Sequence, residues 1–407
     1  MTNIKKMLGA GIAVATLFGF AACGSNNNSS EKKADTSTPV QLTVWGSADD
    51  QKDGGWIKTV EEEFKKDHPN VTFKNAVVEP PDAAKAVKQD AKAAADVFLF
   101  PNDQLGDLVK AGAIGELSDA ATNQVKEQNE DTLIKSVTAQ DGKMYGVPYT
   151  GNTWFMYYNK AKFSADDVKS LDTMLTKGKV SFDIANAWYL PGFYLDGNMT
   201  LFGENGNDAK AGMKLSDKAG EVTKYLANLV ANKNFVLDGN GRGLAGLKDG
   251  SVDAYFSGSW DAAKVKDALK DNYAAAALPK FKTESGEHQM KSFAGSKAVA
   301  YNTNTKSPEM AATFAAFLGS KKSQQIAFEK EGAIPSDKSL ADSVKAEPAA
   351  VAQMETIAKT SVLQPAIPEM GKFWDPVQAF GTGISTGKIT PANAAAQTAE
   401  FAKGLGK

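Results

Sequence analysis

Cysteine, histidine and arginine are nearly missing from this chain of 407 residues. Cys23 is the single cysteine, so no disulfide can close within the chain. The two histidines, His68 and His288, are too few for a cysteine and histidine zinc site. They are read as surface residues rather than as members of a nucleophilic triad. Arg242 is the single arginine among 46 basic residues. Bidentate recognition of guanine or phosphate favours arginine, so no nucleic-acid partner is expected. No glycine-rich Lys-Ser/Thr phosphate loop is present, and Gly239-Asn240-Gly241-Arg242-Gly243 lacks the spacing of a dinucleotide site. No cofactor and no metal site are therefore expected. No apolar run approaches the ~20 residues of a spanning helix. No repeat of 20–50 residues is visible.

What is present reads as a soluble, folded chain. Hydrophobic residues make up 42% and charged residues 23%, with a net charge of −2. At about 150 residues per domain, the length predicts two or three domains. The N-terminus has Lys5 and Lys6, an apolar stretch from Met7 to Phe20, and then Ala21-Ala22-Cys23-Gly24. A basic start, a short apolar core and small residues before a cut describe a secretory signal. The one cysteine falls where cleavage would expose it, which resembles a bacterial lipoprotein signal with Cys23 as the lipidated mature N-terminus. Phe20 stands where that motif usually has leucine. Residues 1–22 are thus expected to be the signal and 23–39 a flexible tether, since that stretch has almost no large apolar side chain.

From Pro39 onward, strand and helix signals alternate. Gln41–Trp45 and Val71–Phe73 read as strands, and Asp96–Phe100 as a buried parallel strand. Asp53 is a candidate N-cap for a helix carrying Trp56, Ile57, Val60 and Phe64 on one face. Further helices are predicted over 81–94, 103–111 and 216–233, with starts at Ser307-Pro308 and Thr390-Pro391. This is an α/β pattern with a parallel sheet.

The tryptophans carry the functional signal. Trp188-Tyr189, Trp260 and Phe373-Trp374 lie in or beside segments rich in proline and glycine, unlike Trp45, Trp56 and Trp154, which read as core. Aromatic faces stack on the C–H faces of sugars, while carboxylates and amides bind hydroxyls. On chemistry alone, a binding role and a core role for the first three segments are comparable. Composition also permits a carboxylate pair for glycoside hydrolysis, with Asp49 and Asp103 as the pair.

The order of segments resembles the solute-binding proteins of ABC sugar importers, specifically the maltose/maltodextrin group. The marks are Leu42–Trp45, Ala95–Asp103, Tyr145–Tyr149 leading to Tyr157–Lys160, Ser257-Gly258-Ser259-Trp260, Ala277–Pro279 and Gln364–Trp374. The resemblance spans nearly the whole body, and the last motif is the most specific. It implies a two-lobe periplasmic-binding-protein-like α/β fold with hinge strands and a cleft between the lobes. The first lobe would be residues 40–149 plus 293–338, and the second 150–292 plus 339–407. It also implies malto-oligosaccharide as ligand, an ABC permease as partner, no enzymatic activity and a monomer. Anchorage through Cys23 would place it at the outer face of the cell membrane.

Site residues follow by resemblance. Asp49 and Asp103 match positions that bind sugar hydroxyls. Trp260 and Trp374 match stacking tryptophans, and Trp188 a flanking aromatic. Phe100 stands where the group often has tryptophan, Gln104 replaces an arginine and Asn152 a glutamate. A glutamate-proline-tyrosine segment of the group is here Ala185-Asn186-Ala187, with Tyr189 or Asn186 as candidates to compensate. Two other readings stay open: the same fold with a different oligosaccharide, and an anchored glycoside hydrolase.

Overall fold

The computed structural model describes residues 38–204, 206–239 and 241–405. The signal and Cys23 lie outside the described residues.

Two sheets organise the chain. The first has Ser361–Leu363, Ser292–Tyr301, Val97–Pro101, Val40–Gly46 and Val71–Val77 side by side, with Val147–Asn152 also paired to Ser292–Tyr301. The strands starting at Val40, Val71 and Val97 run parallel. Val97–Pro101 is buried at every position, because helices and loops cover both of its faces. Val40–Gly46 instead buries Leu42, Val44 and Gly46 in alternation. The second sheet orders Tyr273–Ala276, Phe155–Asn159, Ala254–Ser257, Val180–Phe182 and Phe235–Leu237.

Four chain segments link the two lobes, and core packing shows where each crosses. Phe293 packs in the core of the second lobe, whereas Val299, six residues further along the same strand, packs with Val44, Leu99 and Phe314 in the first. Tyr149 belongs to the first core and Trp154 to the second. Ala327 packs in the first lobe and Ile334 against Phe155 and Tyr157 of the second. The stretch around Ser361–Ala366 touches both, since Ser361–Leu363 pairs with Ser292–Ala294 and the Gly106 amide donates to the Ala366 carbonyl at 2.9 Å.

Several helix ends differ from the sequence reading. The helix Trp56–Asp67 buries Trp56, Ile57, Val60 and Phe64 as predicted, but starts after Gly55, not Asp53. Its first amide is capped by a distant side chain, Glu331 Oε1 at 2.8 Å, which no local pattern could reveal. The helix predicted over 81–94 is shorter, Ala83–Gln89. A helix, Arg242–Asp249, begins inside the glycine-rich stretch read as a loop. The final helix is Ala394–Gly404, because Asn393 Oδ1 accepts from the Thr390 amide at 2.7 Å and closes a turn first.

Candidate functional site

The loops at the carboxyl ends of the first sheet's parallel strands face the second lobe. This is where open α/β sheets present ligand sites. A pocket of about 450 Å³ opens there. Pro80, Pro81, Pro101 and Asp103, all at or just after strand ends, form one wall. Trp188, Trp260 and Trp374 of the second lobe form the other. Asn152, Lys297 and Gln364, all on crossing segments, contribute the rest of the lining.

Each tryptophan is held from behind. Trp260 follows the strand Ala254–Ser257 in a short 3-10 turn. The turn is pinned by Asp261, whose Oδ2 accepts from Ser257 Oγ at 2.8 Å and from the Tyr255 hydroxyl at 3.0 Å. A Cβ at Gly258 would lie 2.0 Å from the Trp260 ring, so that close approach requires glycine. Trp188 donates through Nε1 to Gln364 Oε1 at 2.8 Å. Its ring lies 5.9 Å from that of Trp260. Trp374 opens the helix Trp374–Ser385 and packs edge-on against the fully buried Phe373 at 5.2 Å. Trp260 nevertheless keeps 42% of its surface in solvent. A large apolar face left open beside two other indoles is a stacking surface awaiting a partner.

The polar groups opposite are few. Burial pushes the Asp103 carboxyl up to about 7, with Asp107 adding a repulsive contribution. Burial lowers the Lys297 ammonium, while Asp50 and Glu79 oppose that shift. Lys297 Nζ lies 5.6 Å from the centre of the Trp260 ring. A larger groove, of about 780 Å³, lies between Leu105–Lys110 and Met199–Leu201 beside Val362–Pro368. It has no aromatic side chain in its lining, which makes it the poorer place for a ring-shaped polar ligand.

Comparison with known proteins agrees with this architecture. The profile of bacterial extracellular solute-binding proteins matches residues 60–358. The chain belongs to that family. A solved structure with acarbose is 46% identical, covering 90% of this chain and 99% of its own, with a TM-score of 0.86. The ligand-free maltodextrin-binding protein of L. casei BL23 is 31% identical, covering 91% and 100%, with a TM-score of 0.81. The galactooligosaccharide-binding protein of Bacillus subtilis (strain 168) is 28% identical over 99% of this chain and 98% of its own. The two-lobe α/β fold is therefore that of the maltodextrin-binding structures.

This solute-binding protein gathers five of the nine expected site residues in one pocket: Asp103, Asn152, Trp188, Trp260 and Trp374. Four stand elsewhere. Phe100 is fully buried in the first lobe between Phe98 and Gly146, so it has no face to offer a sugar. Gln104 has both polar atoms occupied, Oε1 by the Ala84 amide at 3.0 Å and Nε2 by the Pro81 carbonyl at 2.5 Å. It shapes the pocket wall instead of lining it. Asp49 points to solvent with an exposed partner, Lys52, at 3.2 Å. The reason is local: Asp50, not Asp49, closes the capping box with Ser47. Tyr189 lies behind the pocket, stacked on Trp154 at 5.1 Å and edge-on to Phe182. Asn186 accepts from the Trp188 amide at 2.9 Å and so holds the turn.

The sequence reading missed Lys297 and Gln364 in this solute-binding protein. Lys297 had a signal, being the only charged residue in the strand Ser292–Tyr301. Gln364 lay within the segment that marked the resemblance, but only its bond to Trp188 shows its place.

Proposed function

We propose that this chain is the ligand-binding component of an ABC oligosaccharide importer and takes malto-oligosaccharides between its lobes. The observation that carries the reading is the convergence of three second-lobe tryptophans on Asp103 and Asn152. Indole faces suit the apolar faces of sugar rings, and a carboxylate and an amide suit their hydroxyls. The names of its relatives, a maltodextrin-binding and a galactooligosaccharide-binding protein, support an oligosaccharide. Asp103 is the sole carboxylate in the pocket lining, whereas glycoside hydrolysis ordinarily uses two across the scissile bond. That supports binding without turnover. The lobes, divided as 40–149 plus 293–338 and 150–292 plus 339–407, would close on the crossing segments around the sugar and present it to the permease. Cys23 would carry the lipid that holds the receptor at the outer face of the membrane, with residues 23–39 as tether. Cys23→Ser should then release the protein from cells, and a wild type found free of membranes removes the anchor.

Calorimetric titration of residues 39–407 tests the reading. The panel is maltose, maltotriose, longer maltodextrins, a galactooligosaccharide, raffinose and xylobiose. Micromolar binding of the maltodextrins is expected. Binding of the galactooligosaccharide alone would keep the receptor and move its specificity. No binding by any sugar would refute the proposal.

A further inference from the structure

Lys297 occupies an unusual place in the first lobe. Its strand, Ser292–Tyr301, is buried at every position except Lys297 and Tyr301. Lys297 stands opposite Pro101 on one side and Thr150 on the other, and the register to Val147–Asn152 slips between Lys297 and Ala298. Irregularities of this kind re-aim a side chain out of the regular pleat. Here the side chain lines the pocket with Asp103, Asn152 and Trp260.

No hydrogen bond or ion pair to its ammonium is found among the described residues, in contrast to the many surface lysines that hold carboxylates at 2.5–3.4 Å. The Trp260 ring centre lies 5.6 Å from its Nζ. Asp50 and Glu79 act on it only through space. An ammonium withdrawn from water without a bonded partner is costly and calls for an acceptor. A cation over an indole face, 5.6 Å from its centre, is placed to meet an oxygen of a ring that comes to stack there.

We infer that Lys297 is a ligand-contacting residue, donating to an oxygen of the sugar ring that stacks on Trp260. This rests on the oligosaccharide reading above. An ammonium has three donors and no acceptor. It therefore sets a preference for a hydroxyl or ring oxygen at this position and excludes a cationic amino group there. Lys297 would also couple the crossing strand to the second-lobe wall through the ligand itself.

The test is calorimetric titration of wild type and Lys297→Met with maltotriose, alongside thermal melting of both without sugar. Methionine keeps an unbranched apolar stem and removes the charge and donors. The expected result is binding at least about 10-fold weaker, with a melting midpoint equal to or above wild type, because a half-buried charge with no bonded partner is gone. If Lys297→Met fails to fold, Lys297→Gln is read in the same way. Affinity within twofold of wild type would overturn the inference. So would a midpoint that falls together with affinity, since that is the mark of a structural role. A wild type that binds no sugar of the panel sinks the oligosaccharide reading and this inference together. A wild type that binds, matched by its variant, sinks the lysine alone.

Discussion

Trp260 keeps more free surface than Trp374, yet both line the pocket. Each is backed by groups that fix its ring, and each has one side turned to the pocket. Replacing either by alanine should weaken sugar binding by about 1–3 kcal/mol, the scale of a lost buried aromatic contact. Titration of both variants checks this, and unchanged affinity in both would place the sugar elsewhere. Asp103 brings a pH dependence. Its carboxyl is held up to about 7 in the ligand-free fold. The ionised carboxylate accepts from sugar hydroxyls more strongly than the neutral acid does, so affinity should fall as pH drops below that value. Roughly 10-fold weaker binding at pH 6 than at pH 8 is expected. Asp103→Asn should bind more weakly at pH 8 and show a flat profile. A wild type with a flat profile would mean that the neutral acid binds equally well.

At the scale of elements, the turn from the strand Ala254–Ser257 into the helix Ala262–Leu269 decides where an indole stands. The turn needs Gly258, because an added methyl would meet the six-membered ring of Trp260 at 2.0–2.5 Å. Backbone at that contact cannot retreat, as Ser257 and Tyr255 are tied to Asp261. Gly258→Ala is therefore expected to displace the ring and cut sugar affinity by at least as much as Trp260→Ala. Its melting midpoint should change little, since Trp260 is half in solvent. A crystal structure or tryptophan fluorescence titration of the variant checks the placement, and retained affinity would show that the ring can shift without loss. Gly295 has a comparable task on the crossing strand, where a Cβ would lie 1.9 Å from Asn102 Oδ1. Its absence of a side chain lets the loop carrying Asp103 sit against the strand carrying Lys297.

For the whole molecule, buried acids set the response to pH. Burial pushes Glu61 and Asp103 up to about 7 and Asp183 up to about 6. Glu331 is also raised, by burial first and then by sharing a hydrogen bond with Asp50. Their ordinary values are 3.8 for aspartate and 4.5 for glutamate. The fold therefore keeps protons that the unfolded chain releases, and stability falls as pH rises from about 4 to about 7. Glu63 and Asp167 act in the opposite sense. Their lysine partners hold them at about 2, so their contribution is present above the unfolded value and lost as pH falls toward 2. The ligand-free protein should accordingly melt at a higher temperature at pH 5 than at pH 8. Calorimetric melting across that range is the check, and a midpoint that rises toward pH 8 would contradict this account of the buried acids. Ligand binding should narrow the difference if Asp103 is ionised in the complex, because binding then favours the form that the empty fold disfavours.

The sequence by itself determined the α/β class and the central buried strand at Val97–Pro101, while the two lobes and the choice of Trp188, Trp260 and Trp374 as site residues came from resemblance to the family. The first two follow from local signals, apolar runs and helical spacing. Tertiary structure alone decided which neighbours each side chain would meet. Phe100 and Gln104 sit in the right stretch of chain, yet one packs inward along the pleat and the other bonds the first turn of the helix Ala83–Gln89, 20 residues away. Asp49 lost its place to a capping box one residue on. Lys297 and Gln364 lie more than 190 residues beyond Asp103 in the chain and come beside it only because crossing segments carry them there. Periodicity and propensity act over a few residues, whereas a binding cleft is made by contacts between residues far apart along the chain, and those contacts exist only once both lobes have packed.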